Sequence, residues 1–268
     1  MFDATDSAAM QRTRGAASVA LGPGGRIVGL SQAGSAKALL PRAHGPVPEV
    51  VFLNTSGGLT GGDRLDYALT LAPGAAAAAA TQTAERAYAS AGGAAELTLR
   101  FELGAGAALD WLPQETILFQ GAALARSTQV AMADDARLVW AEMLVLGRAA
   151  MGETVTRLAL RDRREIRRGG RLALCEPVRF ETAALGERAA LAAGMRALAT
   201  VVLMAPGAED ALAPVRAVLP GQGAAASAWD GRCVVRIMAA DALPMKRAVA
   251  AVLAVMRRGA PLPRVWQV

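Results

Sequence analysis

Glu96-Leu97-Thr98-Leu99-Arg100-Phe101-Glu102-Leu103 decides the fold. Apolar and polar side chains alternate through it without a fault, a period of two that puts one face in a core and the other in water. Leu65, Tyr67, Leu69 and Leu71 alternate likewise with Asp66, Ala68 and Thr70, and Cys233, Val235 and Ile237 share one face with Arg232 and Arg236 on the other. Further strands are expected at 26–30, 50–53, 117–119, 138–146 and 200–204. Turn signals punctuate them at Gly22-Pro23-Gly24-Gly25, Pro73-Gly74, Gly92-Gly93, Gly169-Gly170 and Pro220-Gly221. Many short strands with turns at such intervals predict a mainly β fold, and their spacing is compatible with a β-solenoid. The alanine run 75–80 is too short to stand as a helix and reads as a strand or packed turn. Two segments depart from the period of two. Met245, Val249, Val252, Leu253 and Met256 form one helical stripe, so an amphipathic C-terminal helix is predicted over 242–258, stopped by Gly259 and Pro261. A shorter helix is expected over 209–219, with Pro214 in its first turns.

The length of 268 residues suits one domain, 1–268, with 1–15 expected to be poorly ordered. Hydrophobic residues make up 53% but aromatics only 4%, so alanine dominates the apolar count, and a disordered chain is excluded. Cys175 and Cys233 are too few and too far apart for a disulfide scaffold, and each is expected as a small buried hydrophobe. No apolar run approaches the ~20 residues of a membrane span, and Asp3 and Asp6 precede no apolar leader, so a soluble cytoplasmic protein off the membrane is expected. The net charge of +6 is almost all arginine, since Lys37 and Lys246 are the only lysines. Seven arginines between Arg157 and Arg171 read as a hairpin turning at Gly169-Gly170, with the arginines on its solvated face. A single-strand nucleic-acid binder would interleave aromatic platforms, and none occurs between Trp140 and Phe180, so no nucleic acid is expected. The cationic face suits an acidic partner.

The densest local signal is Asn54-Thr55-Ser56-Gly57-Gly58-Leu59-Thr60-Gly61-Gly62-Asp63. A Walker A loop would place Lys-Ser/Thr before a helix, and the dinucleotide fingerprint also needs a helix after the glycines. This loop runs from strand to strand and carries Asp63 instead. It is either a bent turn that needs positive φ and close packing, or an anion cradle built from backbone N–H groups. Reactive side chains are scarce. His44 is the sole histidine, in a proline-flanked segment expected to be an exposed loop. No zinc ligand set and no nucleophile elbow can be assembled.

The loop 54–63 resembles the signature of the urease accessory protein UreD family, called UreH in some systems. The resemblance continues at Thr81-Gln82-Thr83-Ala84-Glu85-Arg86-Ala87-Tyr88, at Leu109-Asp110-Trp111-Leu112-Pro113-Gln114-Glu115-Thr116-Ile117, at Leu146-Gly147-Arg148 leading to Gly152-Glu153, and at Pro263-Arg264-Val265-Trp266. Asn54, Ser56, Gly57, Gly58, Gly61, Gly62, Trp111, Pro113 and Gln114 carry its most specific blocks. The resemblance implies a β-helix-like body with a few helices and no catalytic activity. It also implies assembly with UreF and the GTPase UreG on urease apoprotein, to assist nickel insertion.

One histidine and two separated cysteines do not make a tight nickel site, because Ni²⁺ favours imidazole and thiolate over isolated carboxylates. No tightly bound cofactor is therefore expected. Nickel in transit is compatible with Asp63, Glu115, Glu142 and Glu176 as a path of weak carboxylate ligands, although each of the four reads more readily as a turn-capping, strand-edge or ion-paired carboxylate. The expected function is a non-enzymatic scaffold for urease maturation. The alternatives are an anion-binding protein or enzyme using loop 54–63, with Asp63 or Glu115 as acid/base, and a basic RNA-binding protein.

Overall fold

The computed structural model describes residues 12–42, 47–182 and 194–266. In chain order its strands are β1 (Arg14–Leu21), β2 (Ile27–Gly34), β3 (Ala36–Leu39), β4 (Glu49–Asn54), β5 (Arg64–Leu71), β6 (Ala76–Thr81), β7 (Glu85–Ala87), β8 (Ala95–Leu103), β9 (Ala108–Trp111), β10 (Thr116–Leu118), β11 (Ala123–Met132), β12 (Arg137–Leu146), β13 (Ala159–Arg168), β14 (Arg171–Glu181), β15 (Ala197–Met204), β16 (Ala224–Trp229) and β17 (Arg232–Ala239). The helices are α1 (Leu212–Val218) and α2 (Ala242–Met256).

From β4 to β13 the chain shuttles between two sheets. β5, β8, β11 and β13 lie parallel in a 7-stranded sheet of order β14-β13-β11-β8-β5-β1-β2. β4, β6, β9 and β12 lie parallel in a 10-stranded sheet of order β16-β17-β15-β12-β9-β6-β4-β3, with β10 paired to β12 and β7 paired to β10. This is the stacked, solenoid-like body that the strand spacing allowed. In-register pairing converts the period of two into columns of identical orientation. Val19, Leu69, Phe101, Val130 and Ile166 pair rung to rung, and none is more than 3% exposed. Phe101 and Phe52 both pack against Trp111, linking the two sheets through an aromatic centre. Burying such side chains contributes about 1.5–3 kcal/mol each, and most of the stability of the body lies in these columns.

The two edges of the solenoid differ. Passage from the first sheet to the second is by tight turns, Ala72–Ala75, Gly104–Ala107 and Ala133–Ala136. Each is closed by a hydrogen bond from its fourth N–H to its first carbonyl. Passage back takes the long segments after β4, β6, β9 and β12. The alanine run forms β6, where small side chains let the second sheet pack closely on both faces.

Helix α2 begins at Asp241, whose Oδ1 accepts from Ala242 N, and lays Met245, Val249, Val252, Leu253 and Met256 against Val139, Ala141, Val201, Val235 and Ile237. It ends at Met256, two residues before the sequence-based bound, because Arg257 turns aside to meet Asp110 Oδ2 at 2.7 Å. The second predicted helix is a 3₁₀ turn followed by α1, with Pro214 in the first turn, where its missing N–H costs nothing. Both helices cover the second sheet; none of the described helices covers the first. Among the described residues no helix is long and apolar enough to cross a membrane.

Other sequence expectations need correction. Arg14 and Gly15 are not loose but open β1, paired with Arg64 and Leu65. The Arg-rich hairpin exists as β13–β14, but Arg164 points into the core at 2% exposure. Cys175 is exposed, because it shares the outward parity of Pro177 and Arg179; Cys233 is buried as expected. His44 and residues 1–11 lie outside the described residues.

The column geometry predicts opposite outcomes at adjacent positions of β8. Phe101→Ala should lower the free energy of unfolding in urea by about 3–5 kcal/mol, whereas Glu102→Ala, on the outer face, should change it by less than about 0.5 kcal/mol.

Candidate functional site

Two inward columns of the first sheet change chemistry towards its β14 end. One runs Leu65, Leu97, Arg126, Asp162; the next runs Tyr67, Leu99, Thr128, Arg164. Parallel register thus places guanidinium and carboxylate groups where the earlier rungs hold leucine. They form a continuous string between the sheets. Glu142 on β12 accepts from Trp111 Nε1 at 3.3 Å and lies 2.6 Å from Arg126 Nη1. Arg126 reaches Asp162 Oδ2 at 2.5 Å, and Arg164 Nη2 meets the same oxygen at 2.7 Å. Arg164 Nη1 then donates to Glu176 Oε2 at 2.9 Å, and Glu176 Oε1 accepts from Arg236 at 2.8 Å. Thr116 and Thr200 hydroxyls accept from Arg126 and Arg164.

Glu142, Arg126, Asp162 and Arg164 are buried, while the Arg236 side chain is 63% exposed, so the string runs from the core to the surface. Three guanidinium groups balance three carboxylates. Burial alone would push the Arg126 guanidinium down, but Asp162 and then Glu142 outweigh it and hold its pKa above the ordinary value. Burial would likewise raise Asp162, yet Arg126 and Arg164 hold it below the usual carboxylate range. A cavity of about 170 Å³ lies along the outer half of the string and touches Glu142, Arg164, Glu176, Thr200 and Arg236. Arg126 Nε, Asp162 Oδ1 and Thr128 Oγ1 are buried with no hydrogen-bond partner among the described residues. No group of three His, Cys, Asp or Glu side chains is placed to hold a metal ion among the described residues.

The second assembly is the long-segment edge. Asn54 organises loop 54–63 from within: its Nδ2 donates to Gly58 O and to Glu85 Oε1, and its Oδ1 accepts from Ser56 N and Ser56 Oγ. Gly57, Gly58 and Gly62 have positive φ. A Cβ on Gly61 would lie 2.0 Å from Ser90 Oγ and 2.4 Å from Gly92 O. The N–H groups of Thr55, Ser56, Leu59, Thr60, Gly62 and Asp63 all donate to protein oxygens. These bonds and the positive φ values give the loop the character of a bent turn. Neighbouring segments stack on it through Tyr88 N to Leu59 O, Phe119 N to Ala87 O and Gly147 N to Leu118 O. Arg148 sits 4.5 Å over the Phe119 ring, and Tyr88 and Met151 are exposed beside it.

The four proposed path carboxylates do not share one place. Glu142 and Glu176 belong to the string and line one cavity. Asp63 caps a turn, accepting from Thr13 N at 2.7 Å and Thr60 N at 2.8 Å. Glu115 has Lys246 Nζ 3.6 Å away, at the β9–β10 segment. Trp111 belongs to the aromatic centre, and Pro113 is buried. Gln114 ties this segment to the C-terminal region: Nε2 donates to Val265 O, and Lys246 Nζ donates to Oε1. Sequence reasoning passed over Arg126, Asp162 and Arg164. Their parity with Leu124, Leu160 and Ile166 was the available signal. It also passed over Glu85, which is set against Tyr67 beneath loop 54–63.

The family described as UreD urease accessory protein matches residues 14–267. The chain is 56% identical over 268 residues to "Urease accessory protein UreD" of Cereibacter sphaeroides (strain ATCC 17025 / ATH 2.4.3), covering 96% of each chain. It is 57% identical over 242 residues to the protein of the same name from Dinoroseobacter shibae, covering 90% of this chain and 86% of the other. Over 243 residues it is 46% identical to that of Rhizobium etli, covering 90% and 89%.

Glu85 yields a prediction with a defined sign. Burial pushes its carboxyl up to about 7, against the lowering effects of the Asn54 hydrogen bond and of Arg86. The folded chain then holds a proton that the unfolded chain releases near 4.5, so stability declines as pH rises between these values. Glu85→Gln, which keeps the Asn54 contact, should raise the thermal midpoint relative to wild type at pH 8. The two midpoints should converge at pH 4.

Proposed function

The chain belongs to the UreD family of urease accessory proteins, and from that premise we propose that it is the rigid scaffold on which a nickel-insertion assembly is built. Urease maturation is its role. The finer reading is that it docks UreF, and through it the GTPase UreG, on urease apoprotein in the cytoplasm, without catalysing a reaction itself. One observation carries this reading: most of the residues that bear the family resemblance, in 54–63, 81–88, 112–117 and 146–153, fall on the long-segment edge, hydrogen-bonded to one another, while 109–111 lie in β9 and 263–266 at the C-terminal end. Segments tied in this way lose little further entropy on docking, and they present Tyr88, Arg148 and Met151, of the residue types that anchor interfaces.

Nickel is cargo in this reading. The donor set supports passage better than residence, since the carboxylates of Glu142 and Glu176 are each engaged by guanidinium groups. Hard carboxylate and hydroxyl oxygens bind Ni²⁺ weakly enough to release it. Orphaned polar atoms at Arg126, Thr128 and Asp162 would hydrogen-bond the water that must accompany the ion. Glu142 and Glu176 are the part of the path that this reading keeps together, while Asp63 and Glu115 stand at separate positions.

Cells lacking the chain and supplied with variants test both parts. Tyr88→Ala combined with Arg148→Ala should abolish co-purification with the partner proteins and reduce urease activation at every nickel level. Glu176→Gln, nearer the surface, should co-purify normally, activate poorly at limiting nickel and recover when nickel is raised. Full activation by all of these variants at limiting nickel, with the chains folded by thermal melt, would contradict the proposal.

A further inference from the structure

The outer face of the first sheet has a shape and charge that the scaffold reading does not use. Along the middle strand, β11, the outward side chains are Ala125, Ser127, Gln129 and Ala131, all short or uncharged. Register pairing sets them between Glu96, Thr98, Arg100 and Glu102 of β8 and Arg161, Arg163, Glu165 and Arg167 of β13. With adjacent strands about 4.8 Å apart, the two walls stand about 10 Å from each other, room for one further polypeptide segment. Two cavities, of about 370 Å³ and 260 Å³, lie along this floor, one at Ala125–Ser127 and one at Gln129–Ala131. Both described helices pack on the other sheet.

The walls differ in sign. On β8, Glu96 pairs with Arg64 and Arg100 with Asp66. On β13, Glu165 is shared by Arg163 and Arg167, each at 2.9 Å, and Arg161 has no carboxylate within salt-bridge distance among the described residues. That wall therefore carries two guanidinium charges in excess. Its existing pairs are exposed, and such pairs contribute no more than about 1 kcal/mol each, so an incoming carboxylate can exchange with them at small cost. No aromatic ring faces outward along the trough, Phe101 being turned into the core, so base stacking has no platform.

The geometry points to a second docking surface: the trough along β11 receives an acidic segment of a partner protein, whose carboxylates meet Arg161, Arg163 and Arg167. This rests on the scaffold reading only in taking the ligand to be a protein, and its test does not use urease activation. The probe is a fluorescein-labelled ten-residue peptide alternating glutamate and serine, followed by anisotropy on the full chain. Controls are a lysine–serine peptide and a ten-nucleotide oligouridine. The acidic peptide should bind, with affinity falling at least about tenfold between 20 and 200 mM salt, and the lysine peptide should not. Arg161→Glu combined with Arg163→Glu should weaken binding at least about tenfold. Ser127→Trp, which fills the floor without altering any charge, should weaken it by a similar factor. Both variants carry exposed or half-exposed substitutions, and unchanged melting curves check their fold. Four outcomes would each overturn the proposal: no binding of the acidic peptide, equal binding by the arginine variant, tighter binding of oligouridine, or full binding by Ser127→Trp.

Discussion

The pairing of Arg126 with Glu142 and Asp162 is the interaction on which the β14 end of this solenoid depends. Over its first rungs the two sheets are held together by leucine, phenylalanine and tryptophan columns, which need nothing but burial. Where the columns reach β11 and β13, parallel register leaves no choice of direction. A side chain in line with Leu65 and Leu97 must point inward whatever its polarity. Two buried guanidinium groups are tolerable there only because carboxylates from both sheets meet them. The string is thus a cross-sheet tie as well as a polar passage. A buried ion pair is rarely more stabilising than a packed hydrocarbon.

The division of labour between faces follows from the same winding. One edge is made of four-residue turns, each closed by its own hydrogen bond. The opposite edge is made of long segments, and most of the family's recognisable blocks collect there, apart from 109–111 in β9 and 263–266 at the C-terminal end. The second sheet is covered by α2, while the first sheet keeps a polar outer face. A molecule of this kind has three different surfaces fixed relative to one another by one core, which is what a scaffold requires. Its glycine loop directs the N–H groups of Thr55, Ser56, Leu59, Thr60, Gly62 and Asp63 to protein oxygens.

Much of the architecture was legible because alternation is a strong local signal. β5, β8, β12 and β17 were each readable from their own residues, and α2 from its apolar stripe. The three-residue strand β7 was not, since its pairing with β10 is decided by a partner distant in sequence, whereas β10 itself was expected at 117–119 and lies at Thr116–Leu118. The larger omission lay in β13. Leu160-Arg161-Asp162-Arg163-Arg164-Glu165-Ile166 looks like a solvated charged run, and charge density concealed its parity. Counting from Leu160 to Ile166 places Asp162 and Arg164 inward, and the same count from Leu124 places Arg126 inward. Cys175 was misplaced for the complementary reason, an apolar-looking context at an outward position. The loop 54–63 was recognisable as a turn, but its bonds to Glu85, Ala89 and Ala94 join segments that only the winding brings together.

A double-mutant cycle between Arg126 and Glu142 measures the central tie directly. Urea unfolding would be followed for wild type, Arg126→Met, Glu142→Gln and the double variant. Removing one partner should cost about 3–5 kcal/mol by stranding the other, and the double variant should cost far less than the two singles together, a coupling of at least about 2 kcal/mol. Costs that simply add, within about 0.5 kcal/mol, would mean that the two groups do not hold each other in the core, and the string would lose its place in the account.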